Sequence, residues 1–314
     1  MQKDQAKEFY RTMYTIRRFE QETHAFYTRG QMPGIAHMYI GEEAVATGVC
    51  AALEERDYIS STHRGHGHLI ARGADLGRMM AEILGKATGY CKGKGGSMHI
   101  MAMDKGILGA NGIVGAGIPI ATGAAYSSKY RGADEVTVAF FGDGATNEGT
   151  FHESVNMAAA WDLPIVYVIE NNLYGISVDI RRVVKEQKLS LRAVGYGIDG
   201  VTVDGNDVDI VYEAAKKAVA KARNGGGPTI LECLTYRWYG HHFGDPGEYR
   251  PIEEIEAWKS REPLLVLEAK GVLSEGELAE IKDSVEKELA EACKFALDSP
   301  YPDVSEAYTD VFAS

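Results

Sequence analysis

The chain has 314 residues, 45% hydrophobic and 25% charged, which predicts a globular protein with a sizeable core in one large domain or two small ones. Its 33 basic and 45 acidic residues give a net charge of −12, which argues against nonspecific binding to nucleic acid or an anionic membrane. The four cysteines are dispersed without a CxxC pair, so neither a disulfide framework nor a thiolate zinc site is indicated. There is no apolar run of about 18 residues and the first residues are polar, so we expect a cytoplasmic protein without a signal peptide.

The first part of the chain predicts packed helices. Apolar residues recur at helical spacing from Asp4 to about Tyr27 and again from Leu69 to Gly85. Between them, the predicted helix from Glu42 to Leu53 is rich in small residues, which permit close approach of another helix. We expect this helix to be buried.

A short β-like run, Asp57 to Thr62, ends in a cluster of three histidines and an arginine, STHRGHGH. One interpretation is a zinc site, because imidazole is a good zinc ligand. However, no cysteine or fourth histidine is suitably spaced, and Arg64 would place a cation beside the metal. We therefore favour an anion site, with Arg64 bidentate on a phosphate and a histidine beside it.

The segment from Gly89 to Gly117 is glycine-dense but contains interleaved apolar residues, which a flexible tether would not need. We expect an ordered loop close to a ligand. A small-residue helix is predicted from Ile118 to Lys129.

A βαβ unit follows. A strand from Val136 to Phe141 ends in Gly142-Asp143-Gly144, a helix runs from about Phe151 to Trp161, and a strand from Ile165 to Ile169 ends in Asn171-Asn172. Positions 145–170, 26 residues, separate the two polar turns, about the length of a right-handed crossover. Asp143 and Asn172 should therefore face one point at the carboxyl edge of a parallel sheet, as oxygen donors suited to Mg²⁺. We expect the glycines to permit a tight turn that aims amide N–H groups at phosphate oxygens.

The rest of the chain continues the alternation. A loop from Leu173 to Lys188 precedes a short helix, the strand Val201 to Val203 and the helix Asp207 to Asn224, and a β-run from Thr229 to Tyr236 leads into a loop with His241 and His242. The chain then reads as helices from about 252 to 297. The prediction is a doubly wound, mainly parallel α/β domain over residues 1–250 and a helical C-terminal extension over residues 251–314.

Six ordered motifs between about His37 and Tyr308 resemble the alpha subunit of the thiamine diphosphate-dependent, decarboxylating component of 2-oxo acid and acetoin dehydrogenase complexes: STHRGHGH, CKGKGGSMH, LGANGIVGAGIP, GDGATNEG, ENNLYG and YRWYGHH. The resemblance implies the thiamine diphosphate-binding fold and an oxidoreductase that cleaves a carbon–carbon bond next to a carbonyl and passes the acyl unit to a lipoyl carrier.

The resemblance also implies roles for individual residues. Mg²⁺ would be held by Asp143, the Asn172 side chain and the Tyr174 backbone carbonyl. Cofactor contacts would come from His63, Arg64, Gly112, Val114, Gly144, Ala145 and His241, besides the three residues at the metal. Active-site roles would fall to His241, His66 and His37.

Two departures divide the substrate assignment. His63 stands where pyruvate-type alpha subunits have Tyr, and this form is more similar to acetoin dehydrogenases. The sequence Gly244 to Gly247, in contrast, is more similar to pyruvate-type loops. Where mammalian enzymes of the family carry a phosphorylatable serine, this chain has His242, so we do not expect that regulation.

The resemblance implies partners as well: a beta subunit in a heterotetramer of two alpha and two beta chains, a lipoyl acyltransferase core and a small carbonyl substrate. The small-residue helices Glu42 to Leu53 and Ile118 to Ser128 are suited to a subunit interface. Two other classes stay open from the residues: a non-catalytic phosphate-binding protein on the same fold, and a zinc hydrolase built on the histidines.

Overall fold

A computed structural model describes residues 1–311. The helices of this part of the chain are α1 (Lys3–Thr28), α2 (Glu43–Ala51), α3 (His66–Ala71), α4 (Leu76–Ile83), α5 (Gly117–Arg131), α6 (Gly149–Ala160), α7 (Val208–Arg223), α8 (Ile252–Lys259), α9 (Pro263–Ala269) and α10 (Glu275–Asp298). The strands are β1 (Tyr58–Ser60), β2 (Ile107–Gly109), β3 (Thr137–Gly142), β4 (Ile165–Asn171), β5 (Tyr174–Gly175), β6 (Val178–Asp179), β7 (Asp199–Asp204) and β8 (Thr229–Leu234). Short 3₁₀ helices include Asp143–Asn147 and Leu189–Tyr196.

Six strands form one parallel sheet in the order β2-β1-β3-β4-β8-β7, and β5 and β6 form a small antiparallel hairpin beside it. The central pair β3 and β4 is in register from Thr137 opposite Ile165 to Gly142 opposite Glu170. Since both strands run in the same direction, their carboxyl ends, and the polar turns that follow them, lie at the same edge.

The two faces of the sheet bury different cores because alternate side chains of a strand point in opposite directions. In β4, Val166 and Val168 join the larger cluster, which includes side chains of α1, α4 and α7. Ile165, Tyr167 and Ile169 join a second cluster with α5 and α6. Helices therefore cover both faces, and the predicted doubly wound α/β fold is confirmed.

The predicted helix from Leu69 to Gly85 is in fact two helices. The break lies between α3 and α4, where Gly73 adopts a left-handed φ of +77°. Asp75 then caps α4 by accepting a 2.7 Å hydrogen bond from the Arg78 amide. Strand β2, inside the glycine-dense loop, was not predicted, because a three-residue edge strand produces no periodic pattern.

The prediction that the helix from Glu42 to Leu53 lies at a subunit interface is wrong. In α2, residues Glu43 to Cys50 are buried within the chain itself. A side chain at Gly48 would lie 2.8 Å from Val211 of α7, so the small residues of α2 serve a close contact inside the fold. In α5, however, Ile120, Tyr126 and Tyr130 are exposed, so this helix keeps a free face.

The predicted helical C-terminal region consists of α8, α9 and α10. Helix α10 packs against α1 and α4, and α9 packs against α1. The division of the chain at residues 250 and 251 stays a prediction. None of the described helices is long and apolar enough to cross a membrane.

Candidate functional site

A cavity of about 270 Å³ opens at the carboxyl ends of β1, β3 and β4. Its lining comes from the residues that end or follow these strands and from the glycine-dense loop before α5: Ser61 to Arg64, Asn111, Ile113 to Gly115, Phe140 to Ala145, Glu170, Asn172 and Tyr174 to Ile176. Gly117 and Ile118 at the start of α5 and Glu148 also line it, and Glu42 and His241 contribute from two more distant segments. The cavity thus lies where open α/β sheets bind their ligands.

Asp143 follows β3 and is only 1% exposed. Burial raises the pKa of its carboxyl group to about 7, although nearby backbone amides and Arg237 oppose the shift. Its Oδ2 atom has no hydrogen-bond partner among residues 1–311. A buried carboxylate oxygen that lines a cavity and lacks a partner is suited to receive a cation.

Asn172 and Tyr174 follow β4 and line the same cavity. The Asn172 side chain is fixed at both ends, since its Nδ2 donates to Glu42 Oε1 over 3.0 Å and its Oδ1 accepts from the Tyr174 amide over 3.3 Å. Between them, Leu173 adopts a left-handed φ of +73°. Such strain in a non-glycine residue at a cavity is typical of a functional turn.

Arg64 is 5% exposed and joins three segments of the cavity wall. Its Nη1 donates to the carbonyl of Met38, its Nη2 donates to the carbonyl of His241 over 3.1 Å, and its Nε lies 3.6 Å from Glu42 Oε2. The guanidinium therefore brings positive charge to the cavity lining, and its role in an anion site stays a prediction.

Three histidines from distant parts of the chain meet beside Arg64. The ring centroid of His37 lies 4.6 Å from that of His63 and 4.7 Å from that of His241. Burial, with the charge of Arg64, lowers the pKa of His63 to about 3 and that of His241 to about 4, and lowers the pKa of His37 as well. All three imidazoles are therefore neutral near pH 7.

The structure does not bring every predicted residue to the cavity. His66 is 1% exposed and lies behind the wall, where its Nε2 shares a 2.9 Å hydrogen bond with Ser97 and its Nδ1 lies 3.2 Å from Glu20. Gly112 is also outside the lining and lies next to His99, although its neighbours Asn111 and Ile113 belong to the lining. The roles of all the predicted site residues, with His66 and Gly112 among them, stay predictions.

The backbone around Asp143 does not require glycine at positions 142 and 144, although we expected both glycines to permit a tight turn. Gly142 has φ of −77°, which any residue can adopt, and an added Cβ at Gly144 would make only an ordinary 3.5 Å contact with Gly175. The space beside Gly144 is open toward the cavity that it lines. Gly115 is different, since its φ is +82° and an added Cβ would lie 2.8 Å from Thr150.

Two buried carboxyl groups of the lining were missed by the sequence analysis. Glu42 precedes α2, and burial together with the charge of Glu170 raises its pKa. Glu170, the penultimate residue of β4, accepts hydrogen bonds from Tyr39 and, over 2.9 Å, from His68 if the imidazole Nε2 carries the proton. For Glu170, the available signal was an acidic residue directly after the apolar run Ile165 to Ile169.

A parallel α/β sheet with a buried carboxylate, an amide oxygen donor and a buried arginine at its carboxyl edge has groups suited to an anionic ligand together with a cation. Residues 11–305 match the Dehydrogenase E1 component family. The chain is 50% identical over 97% of its length to the alpha subunit of acetoin:2,6-dichlorophenolindophenol oxidoreductase from Bacillus subtilis, of which it covers 92%.

Two further relatives cover nearly the whole chain. The corresponding alpha subunit from Cupriavidus necator is 46% identical over 97% of this chain and 93% of its own length. The pyruvate dehydrogenase E1 component subunit alpha from Rhizobium meliloti is 44% identical over 96% of this chain and 88% of its own length. The chain belongs to the dehydrogenase E1 component family, an enzyme family whose membership implies thiamine diphosphate.

Proposed function

We infer that this chain is the alpha subunit of a thiamine diphosphate-dependent dehydrogenase component that cleaves the carbon–carbon bond next to the carbonyl of acetoin. The observation that carries the proposal is the buried Asp143 carboxyl group, whose Oδ2 has no partner and which lines the cavity at the end of β3. The similarity to two acetoin-oxidising alpha subunits supports this choice of substrate.

The side chains fit a divalent cation and a diphosphate. Asp143, the Asn172 side chain and the Tyr174 carbonyl would hold Mg²⁺, for which oxygen donors are the preferred ligands. Arg64 and the amides of Gly144 and Ala145 would hold the diphosphate, because guanidinium and backbone N–H groups pair well with phosphate oxygens. Cofactor contacts are further assigned to His63, Gly112, Val114 and His241.

When bound, thiamine diphosphate would supply a cationic thiazolium ring that serves as electron sink for the breaking carbon–carbon bond. The chain itself contributes binding and proton exchange. His241 lines the cavity as a neutral imidazole, so it can accept a proton from a substrate hydroxyl and return it. His37 packs against His241 and keeps an unpartnered Nδ1, and we assign it to the same proton exchange. His66, behind the wall, would act by positioning.

A second chain completes the enzyme in this proposal. The described residues contain one six-stranded sheet and no second α/β domain. The free face of α5 and α6 carries an apolar patch in which the Tyr126 ring lies 6.1 Å from Tyr130 and 5.5 Å from Trp161, all three being exposed. Apolar, aromatic-rich surface of this kind is typical of subunit interfaces.

We assign this face to a beta subunit in a heterotetramer of two alpha and two beta chains. A lipoyl acyltransferase core as acceptor of the acyl unit and a cytoplasmic location are parts of the same proposal.

The test measures binding and turnover separately. Calorimetric titration of the chain with thiamine diphosphate should show binding only when Mg²⁺ is present. With a candidate beta chain added, dye reduction should depend on acetoin and should be absent with the alpha chain alone. Binding of thiamine diphosphate that is independent of Mg²⁺, or full activity of the isolated chain, would contradict the proposal.

Pyruvate is the second candidate substrate. The residues Gly244 to Gly247 favour it because they are similar to pyruvate-type loops, and a pyruvate dehydrogenase alpha subunit is 44% identical to this chain. Competition between acetoin and pyruvate in the same dye-reduction assay decides between the two.

A further inference from the structure

The three imidazoles beside Arg64 converge on one point, which the separate roles assigned to them under the proposed function do not require. His37, His63 and His241 each offer a ring nitrogen, and these atoms all lie within 4.8 Å of one another. His37 is 7% exposed, and its Nδ1 has no hydrogen-bond partner in the part of the chain that the structure describes. We propose that His37, His63 and His241, called the histidine cluster below, form a binding site for a nitrogen-preferring divalent cation of the Zn²⁺ type.

The ligand set matches that class of cation. Three neutral imidazoles with an open fourth position are a common coordination of Zn²⁺, whereas Mg²⁺ prefers oxygen ligands. Nitrogens at about 2.0–2.1 Å from a tetrahedral Zn²⁺ are about 3.3 Å apart, so small ring rotations bring the cluster to this spacing. Asp143 and Asn172 offer oxygen donors at the end of the sheet, so the two sites select different cations.

Arg64 pre-organises the cluster. It follows His63 directly in the chain, and its guanidinium donates to the carbonyl of Met38, the residue after His37, and to the carbonyl of His241. One buried side chain thus ties together the three backbone segments that carry the imidazoles. Segments held in this way lose little conformational entropy when the rings bind a metal.

The charge of Arg64 opposes a second cation, and its surroundings reduce this effect. The guanidinium is directed at two carbonyl oxygens, and its Nε lies 3.6 Å from the Glu42 carboxyl group. The open coordination position can also take an anion such as chloride or hydroxide. We therefore expect micromolar rather than picomolar affinity for Zn²⁺.

The site has a consequence for the activity that rests on the proposed function. His63 and His241 line the cavity, so a metal that engages both rings withdraws them from substrate and cofactor. Zn²⁺ should then inhibit turnover without displacing Mg²⁺. Binding of Zn²⁺ does not depend on the proposed function, because it is measured on the chain without thiamine diphosphate.

The test uses Co²⁺ as a visible probe and Zn²⁺ as its competitor on the full chain. One equivalent of Co²⁺ should produce the absorption of a four-coordinate site, and one equivalent of Zn²⁺ should abolish it. H37Q, H63Q and H241Q should each weaken Zn²⁺ binding by at least about tenfold, since they remove a direct ligand and loss of even an outer partner costs roughly 10–100-fold. H152Q is the control, because His152 is an exposed histidine of α6 that contacts Tyr196.

Thermal melts accompany each titration to verify folding. If H37Q fails to fold because His37 is buried, H63Q and H241Q carry the test, since both side chains are partly exposed. Absence of stoichiometric binding to the wild-type chain overturns the proposal, and so does unchanged affinity in the double variant H63Q/H241Q. Loss of binding in H152Q to the same extent would also overturn it. A separate titration of thiamine diphosphate with Mg²⁺ reports on the proposed function alone.

Discussion

Two neighbouring parts of one cavity are built in opposite ways. The carboxylate cleft, formed by Asp143, Asn172 and Glu42, is centred on a single βαβ unit, because β3 and β4 end side by side. The histidine cluster takes one residue from each of three distant segments, which Arg64 joins. The cleft is acidic and oxygen-lined, whereas the cluster is neutral and nitrogen-lined. The length of the crossover between β3 and β4 is therefore enough to predict the cleft from the sequence. The cluster could not be predicted in this way, because its residues meet only in the folded chain.

We expect the histidine cluster to affect turnover and the carboxylate cleft to affect cofactor binding. His241→Ala should lower turnover of the assembled enzyme by about 10²–10⁴-fold, because a proton-transfer group typically contributes that much. Affinity for thiamine diphosphate should fall much less than turnover, because His241 is only one of the assigned cofactor contacts and the groups that would hold the cation and the diphosphate are unchanged. Single-turnover dye reduction and calorimetry measure the two effects. His152→Ala serves as control, and an unchanged rate in His241→Ala would return His241 to a packing role.

In the carboxylate cleft, we expect a substitution to weaken cofactor binding first. Asp143→Asn should weaken Mg²⁺-dependent binding of thiamine diphosphate by roughly 10²–10⁴-fold, since loss of one partner of a buried charge pair costs about 3–5 kcal/mol. Without Mg²⁺ the same variant should melt at a higher temperature, because it removes a buried carboxyl group that lacks a partner. Asp162→Asn, at an exposed position outside the cavity, is the matched control. Wild-type affinity in Asp143→Asn would exclude Asp143 as a metal ligand.

The two residues that the sequence placed together, and that line one cavity in the structure, share a local origin. Asp143 and Asn172 could be placed together because the length of one crossover decides where two parallel strands end. Glu42 was missed because it opens a small-residue helix that reads as packing, and its partner Asn172 is 130 positions away. His66 belongs to the motif that carries Arg64, yet its side chain turns toward α1 and Glu20. A motif specifies neighbours in the chain, whereas the direction of each side chain depends on tertiary packing.

Tertiary packing also explains why α2 is buried inside the chain and not at a subunit interface. Its small residues predicted close approach of another helix, and that helix proved to be α7 of the same chain. Periodicity and residue size describe a surface but do not identify the element that covers it. Strand order, which decides that question, depends on contacts between residues far apart in sequence.

The two parts should also respond to pH with opposite sign. The folded pKa values of His63 and His241 lie below the unfolded value of about 6.5, so the unfolded chain takes up these protons first on acidification. The two imidazoles therefore contribute to the free energy of unfolding above about pH 6.5, and this contribution is lost as the pH falls toward 4. For Asp143, whose folded pKa is raised to about 7, the sign is reversed, and stability falls as the pH rises from about 4 to 7.

Melting curves of wild type and of His63→Gln/His241→Gln between pH 7.5 and 5 test the histidine contribution. We expect the wild type to lose about 1–3 kcal/mol more than the variant over this range, a figure reduced because both rings are partly exposed. The contribution of Asp143 is common to both proteins and cancels in the difference. Arg64, His242 and Asp245 face the same rings and are unchanged in the variant. Parallel pH curves would show that the two imidazoles are not buried in the neutral form.

The smallest effect is expected for Arg237, which connects a loop beside the carboxylate cleft to a loop beside the histidine cluster. Arg237 is 1% exposed, and its guanidinium donates to the carbonyl of Ile176 in one loop and, over 3.0 Å, to the Tyr249 hydroxyl in the other. These loops, residues 175–188 and 239–250, border the cleft and the cluster respectively. Arg237→Gln removes bonds that each contribute about 0.5–1.5 kcal/mol, so both loops should open roughly fivefold more often.

Limited proteolysis with thermolysin, which does not cut at arginine, measures this opening. Cleavage within residues 175–188 and 239–250 should rise together in Arg237→Gln and should stay at the wild-type rate in Arg182→Gln, an exposed arginine of the first loop. Thiamine diphosphate with Mg²⁺ should slow both cleavages, because each loop has residues in the cavity lining or next to it. If only one loop became sensitive, Arg237 would stabilise that loop alone, and the cleft and the cluster would be mechanically independent.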